Sequence, residues 1–391
     1  MSNREIIYLD NNSTTPCAPE VMAEMSPFFD KKFGNASSLH SHGYIASSAV
    51  ARAREEIASA VGVDAVDIIF TSGATEANNL ALFGLAQGTA KRRKIVVSAV
   101  EHKSVLSPAK TLADLGFQVE CLPVDNDGVL LIEAAKKIID DETLLVSAQM
   151  ANNETGVIQP IKEIVDIAHS VGAVCHCDAA QAIGKMQINI EKLGIDLASL
   201  SAHKAYGPKG IGALFASKKR ARPLLRPQMW GGGQEEYLRA GTLNVPGIVG
   251  FGTACRLASN FLHEDIERIS RLRSLCEEGL LQSIPRAHLN ARTVARLPGT
   301  ISLTIPGIPS DMLMANLPNV CIGDGSACSS GTPEPSHVLT AMNMSRTNAE
   351  CTVRISLGRF NTERDVEVAI EGLRLAIQHI STKVGENCRT K

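Results

Sequence analysis

The sequence predicts an α/β fold built on a largely parallel sheet, followed by a second, smaller part. From about residue 50 to 250, short β-branched runs alternate with longer amphipathic stretches, the pattern of strands joined by crossover helices. The apolar runs stop at clusters of polar or glycine-rich residues, as expected where a site assembles outside the carboxyl ends of parallel strands. The 391 residues, 44% of them hydrophobic, suffice for a large core and more than one domain.

In chain order, strands are predicted over 67–71, 94–99, 143–148, 173–177, 197–201 and 212–216, and helices over 75–87, 104–115, 161–171 and 179–184. A long helix from about 252 to 283 stops at Pro285, and beyond it the apolar runs become fewer and shorter. That change marks the boundary with a second domain. A last helix over 362–381 starts at Thr-Glu-Arg-Asp, which fits a capping box.

Charge narrows the function classes. With 39 basic and 41 acidic residues the formal charge is -2, which gives no bulk electrostatic reason to bind nucleic acid or an anionic membrane. No direct nucleic-acid contact is expected, and small-molecule chemistry is favoured. The opening MSNREIIYLDNNSTT carries charge where a signal peptide needs an apolar stretch, and no segment approaches a membrane span; a cytoplasmic protein is expected. The ten cysteines show neither disulfide-framework nor metal-site spacing, so free thiols and no metal are expected. Cys175 and Cys177, two apart, would face one way on a strand and pack in the core. The run KRRK, 91–94, reads as a solvated loop before a strand.

Two distant segments carry the chemistry. SAHKAYGPKG places Lys204 after an apolar run, beside Ser201 and His203, which can both bond a phosphate. GSACSSG places Cys328 among small residues. A lysine amine can hold a carbonyl cofactor such as pyridoxal phosphate, and a thiolate is a natural nucleophile for taking sulfur from a substrate held there. SGATEANN, 72–79, is either a phosphate cradle at a helix N-terminus, with Thr75 adding a hydroxyl, or an ordinary capped helix. Asp178 either pairs with a pyridine nitrogen or caps a helix, and Gln181, three residues on, can donate to a ring hydroxyl. His102 in EHKS ends a strand, where an imidazole can stack on a flat ring and move a proton. WGGGQEEYLRAGT, 230–242, lacks the strand-then-helix setting of a dinucleotide fingerprint.

The ordered set EHKS, DAAQ, SAHK, RAGT, GSACSSG and VRISLGRF resembles the cysteine desulfurases of the NifS/IscS group, within the class V aminotransferase-like pyridoxal enzymes. The resemblance runs from YLDNNSTT to Arg359. It implies the PLP-dependent transferase (aspartate aminotransferase-like) fold, with a large domain over 15–255 and a smaller α+β domain formed by 1–14 and 256–391 that carries the cysteine loop. It implies removal of sulfur from L-cysteine, giving L-alanine and a persulfide on Cys328. Lys204 would be the Schiff-base lysine, and His102 the ring-stacking acid/base residue. Asp178 and Gln181 would bind the pyridine nitrogen and ring hydroxyl. Ala74, Thr75, Ser201 and His203 would hold the phosphate, with Thr242 reaching in from the neighbouring subunit of a homodimer. Asn153 would lie near the ring hydroxyl and the substrate carboxylate, and Arg354 would clamp that carboxylate with Asn35 nearby. Two positions depart from the family's pattern: Ser13 replaces a frequent alanine and Ala36 a common proline. Sulfur-acceptor proteins are the implied partners, in iron-sulfur assembly, tRNA thiolation or DNA phosphorothioation. The closing STKVGENCRTK is without the longer apolar-aromatic tail that docks the iron-sulfur scaffold in housekeeping members. Selenocysteine lyase, sharing the fold and the cysteine, stays open, as does a non-catalytic hub that docks sulfur acceptors; a simple aminotransferase would leave Cys328 without a role.

Overall fold

A computed structural model describes residues 6–89, 91–324 and 335–389. Its centre is a seven-stranded sheet in the order Ile68–Thr71, Gly212–Ala216, Leu197–Ser201, Val174–Asp178, Thr143–Ser147, Lys94–Ser98, Gln118–Leu122. Gly212–Ala216 runs antiparallel to both its neighbours, and the other pairings are parallel. Six of the seven strands are buried at every residue, because helices cover both faces, and such strands read as continuous apolar runs. Gln118–Leu122 escaped the sequence reading for the opposite reason. It is an edge strand, largely exposed and rich in polar residues.

The helices Ala74–Gly88, Lys103–Asp114 and Ile161–Ser170 lie where they were predicted. The helix expected over 179–184 does not form: residues 180–185 make a series of turns that includes Gly184, whose φ is +71°. The long helix begins earlier than predicted, at Val245, and runs to Ser283. The glycines at its start serve packing. A Cβ at Gly252 would stand 2.6 Å from Ala53 Cα, on the helix Ser41–Val61. The last residue of KRRK starts the strand predicted over 94–99, but it is buried rather than solvated. Lys94 is buried in a strand, where its ammonium pairs with Asp140 at 2.8 Å and Glu120 at 3.1 Å.

One continuous helix, Val245–Ser283, serves two apolar cores. Its first turns, with Ile248, Phe251 and Cys255, pack in the core beneath the large sheet. Leu272, Cys276 and Leu280 pack in a second core with Ile7, Leu9, Ile301, Leu303, Ile355 and Leu373. The latter core covers an antiparallel sheet in the order Gly323–Asp324, Thr352–Ser356, Thr300–Thr304, His288–Leu289. The closing helix Glu363–Arg389 starts with the predicted reciprocal cap. Asp365 Oδ2 accepts from Thr362 N at 2.9 Å, and Thr362 Oγ1 accepts from Asp365 N at 3.3 Å. Among the described residues, no helix is long and apolar enough to cross a membrane.

Candidate active site

A cavity of about 610 Å3 opens at the carboxyl edge of the parallel strands, against Arg354 of the smaller sheet. Ala74, Thr75, His102, Asn153, Asp178, Gln181, Ser201, His203, Lys204 and Arg354 all line it. Residues from Ala74 to Lys204 meet because the parallel strands deliver their ends to one edge, and the smaller sheet adds Arg354 from across the cavity. Asn35 and Thr242 do not line this chain's cavity. Both are exposed, and Asn35 Oδ1 instead accepts from Ser37 N at 2.9 Å. Cys328 lies outside the described residues; on either side of it, Gly323 pairs with Arg354 across the small sheet and the Ser336 hydroxyl donates to Glu154.

Lys204 sits just past strand Leu197–Ser201. Its Nζ donates to the backbone carbonyls of Asn12 at 2.5 Å and Ser13 at 2.7 Å. Burial, and then the nearby Arg354 guanidinium, pull its pKa down to about 8, against the opposing charges of Asp178 and Asp10. A lysine amine so placed has a sizeable neutral fraction near pH 7, as a nucleophilic or basic lysine needs.

Asp178 ends the central strand and is buried. Its Oδ1 accepts from Ala180 N at 3.0 Å and its Oδ2 from Asn78 Nδ2 at 2.8 Å. The same Asn78 amide donates to Ser104 Oγ at 2.8 Å, and Ser104 Oγ lies 2.7 Å from His102 Nδ1. One chain of hydrogen bonds therefore joins the two residues expected to flank a flat ring. His102 caps the helix Lys103–Asp114 through Nδ1, which leaves Nε2 for the cavity. Burial, and then Lys204 and other cations, lower its pKa against the pull of Asp178. Burial, and then Lys204, Lys209 and Lys185, push His203 down to about 4.

The helix Ala74–Gly88 begins beside this cavity without a side-chain cap. Gly73 is fully open on its Cβ side, and Gly73, Ala74 and Thr75 line the cavity. Close packing behind this turn requires another glycine: a Cβ at Gly212 would come within 2.6 Å of Gly73 Cα. Uncapped amides at a 15-residue helix N-terminus, with hydroxyls from Thr75 and Ser201 and cations from Lys204 and Lys209, form a donor set that suits a phosphate dianion. Arg354 is nearly inaccessible. Its Nη2 bonds Asp10 Oδ1 at 2.7 Å and Ser13 Oγ at 2.6 Å, its Nη1 bonds the Asn153 carbonyl at 3.1 Å, and among the described residues its Nε has no partner. Pyridoxal phosphate matches this set end to end: donors for the phosphate, an amine for the carbonyl and a buried carboxylate for the pyridine nitrogen.

Sequence reasoning missed several contributors. Asn12, Ser13, Thr14, Ser104, Gln149 and Lys209 line the cavity too, and Asn78 and Glu154 tie its walls together. Asn78 and Ser104 stand inside motifs already noticed, but their partners lie 100 and 26 positions away. A groove of similar size on the helix Glu363–Arg389 mixes apolar residues such as Leu317, Val368 and Leu375 with the charged Arg364, Glu367 and Glu371, and its lining includes no lysine.

Comparison with known proteins agrees with this geometry. The model of the aminotransferase class-V family matches residues 7–368. Cysteine desulfurase IscS of Anaeromyxobacter dehalogenans is 44% identical over 366 residues, which cover 93% of this chain and 90% of that one. A solved NifS-like protein superposes with a TM-score of 0.90 at 37% identity, covering 96% of this chain and all of that one. SspA, solved in complex with cysteine, superposes with a TM-score of 0.77 at 34% identity, covering 91% and 99% of the two chains. With the cavity, its lysine and these relatives in agreement, the chain belongs to the class-V aminotransferase family, among its cysteine desulfurases.

Proposed function

We propose that this protein takes the sulfur of L-cysteine onto Cys328 as a persulfide and releases L-alanine, with pyridoxal phosphate held in the cavity. The observation that carries this reading is Lys204. Its amine, with a pKa drawn down to about 8, shares one cavity with an uncapped helix N-terminus, Asp178 and Arg354. When bound, pyridoxal phosphate supplies a carbonyl that captures the substrate nitrogen and a ring that withdraws electrons from it. Thr75, Ser201, His203 and the amides of Ala74 and Thr75 hold the phosphate. Asp178 keeps a proton on the ring nitrogen, Gln181 donates to the ring hydroxyl and His102 covers the ring face.

Arg354, with Asn153 beside it, takes the substrate carboxylate, a task for which the planar guanidinium is suited. The neutral Lys204 amine removes the α-proton at Nζ and can return it. The Cys328 thiolate then attacks the substrate sulfur. An S–S bond forms, and the C–S bond breaks with its electron pair left on the substrate carbon, which takes up a proton on the way to alanine. That thiol finally passes its outer sulfur to an acceptor protein in the cytosol, in iron-sulfur assembly or a thiolation route.

A homodimer accounts for the residues that this chain's cavity leaves out. Thr242 and Asn35 are exposed, and their chain segments carry exposed apolar side chains, Trp230 and Tyr237 before the first and Phe33 and Leu39 on either side of the second. An interface over these patches brings both polar residues to the partner's cavity.

Purified protein incubated with L-cysteine and a thiol reductant is expected to be yellow and to release alanine and sulfide in equal amounts without a keto acid. C328S is expected to keep the colour and make no alanine, and K204A to lose both. Alanine release by C328S at the parent rate overturns the reading.

A further inference from the structure

Lys185 is a half-buried lysine that the reaction described above leaves unused. It follows Gly184 in the turns after Asp178 and is not among the residues that line the cavity. Its Nζ donates to Gln181 Oε1 at 2.7 Å and to Asn12 Oδ1 at 2.9 Å. Among the described residues no carboxylate pairs with it. Burial, and then the positive charges of Lys204 and Arg354, push its pKa well below the ordinary lysine range. An amine removed from water without a counter-charge costs stability, so stability alone does not account for its place here.

Its position does settle the orientation of an amide. A lysine amine presents hydrogens, so Gln181 must turn its oxygen toward it. Gln181 Nε2 then faces the Asn12 backbone carbonyl at 2.8 Å, a group that only accepts. That carbonyl also takes the Lys204 amine at 2.5 Å. Nε2 carries two hydrogens, and Asn12 uses one; the other is left for the cavity, which Gln181 lines. Asn12 Nδ2 meanwhile donates to Thr300 Oγ1 at 2.9 Å and to the Asn153 carbonyl at 3.2 Å. Lys185, Gln181, Asn12 and Lys204 are thus one connected unit.

We propose that Lys185 is a positioning residue for the cofactor, holding the Gln181 amide and the Asn12 turn so that a donor faces the ring hydroxyl beside the Lys204 amine. This role rests on the pyridoxal phosphate reading above. In this role Lys185 reaches the ring only through the Gln181 amide, so once that amide is gone the loss of Lys185 adds nothing further at the ring.

The test uses the full-length protein as parent, K185M, K185R, Q181L and K185M/Q181L. Three quantities are read: pyridoxal phosphate affinity by fluorescence quenching, the pH midpoint of the cofactor's visible absorbance, and the melting temperature of the cofactor-free protein. K185M is expected to bind about tenfold more weakly and to move the absorbance midpoint by about half a unit or more. K185R should recover most of both, and the double variant should match Q181L. An unchanged midpoint in K185M, or additive effects in the double variant, overturns the role of Lys185, even if the melting temperature falls. A parent that takes up no pyridoxal phosphate overturns the cofactor reading, and this role with it.

Discussion

Asp10 and Arg354 form an ion pair 2.7 Å long at the cavity wall, and Lys204 experiences the two charges in opposite senses. The guanidinium disfavours a second cation nearby and lowers the lysine pKa, and the carboxylate raises it. Gly323 packs against the same pair, since a Cβ there would lie 2.8 Å from Arg354 Nη2 and 2.9 Å from Asp10 Oδ1 and would have to displace one of them.

Opposite shifts should therefore follow from removing each charge. In cofactor-free protein the rate of pyridoxal phosphate capture should rise with pH through a midpoint near 8, where the Lys204 amine becomes neutral. R354Q removes a positive neighbour and is expected to raise that midpoint; D10N removes a negative one and is expected to lower it, each by about half a unit. Stopped-flow capture rates between pH 6 and 10 check both signs, and a common direction for the two variants contradicts the assignment.

The link between Asp178 and His102 offers a second test. Asn78 is wholly buried and its Nδ2 serves Asp178 Oδ2 and Ser104 Oγ together. N78A leaves a buried carboxylate oxygen and a hydroxyl short of a donor, which costs about 2 kcal/mol. Urea unfolding of the cofactor-free protein should show this loss, and the affinity for pyridoxal phosphate should fall with it as Asp178 loses its hold.

These bridging residues also mark where sequence reading stopped. Lys204, Asp178 and His102 were legible because each follows an apolar run, and parallel strands bring such ends to one edge. Periodicity could not reveal Asn12, whose bonds reach Asn153, Lys185, Lys204 and Thr300 across 141 to 288 positions. The start of helix Val245–Ser283 was hidden because glycine marks both breaks and close helix contacts, and only the packing against Ala53 separates the two. The failed helix over 179–184 has an equally local cause: Asp178 caps Ala180 N, but Gly184 enters a left-handed conformation before a second turn forms.

Glu154 links Asn153 to Ser336, the hydroxyl donor just beyond the cysteine segment. Burial raises its carboxyl from the ordinary 4.5 to about 7, although the Ser336 bond and Arg354 oppose that. A raised acid pKa means that, between about pH 4.5 and 7, the unfolded chain has given up a proton that the folded chain keeps. Stability from this group is full below 4.5 and is lost as pH rises to 7, by an amount on the order of 3 kcal/mol. E154Q cannot ionise and keeps an acceptor for Ser336. Its stability relative to the parent should therefore climb across that window and level off above it, as read from urea midpoints at pH 4.5, 6, 7 and 8.

His176 should produce the opposite slope. It occupies the middle of strand Val174–Asp178, with Nδ1 2.8 Å from Ser147 Oγ and Nε2 3.0 Å from Ser199 Oγ, so it ties the central strand to both neighbours directly beneath the cavity. Cys175 and Cys177 flank it in the core on the other face, as their spacing predicted, with thiols that burial pushes far up. Burial lowers His176 from the ordinary 6.5 to about 4. As pH falls from 6.5 to 4 the unfolded chain binds a proton that the folded chain refuses, so stability is lost over that window at up to about 1.4 kcal/mol per pH unit. His102, His203 and His337 are also lowered and add to the same acid limb. H176Q is thus expected to be less stable than the parent at pH 7, where a buried bridge between two hydroxyls has been weakened, yet to lose stability more gently on acidification. Urea midpoints from pH 7 to 4 separate the level from the slope, and parallel curves for the two proteins would show that His176 is not the group taking up the proton.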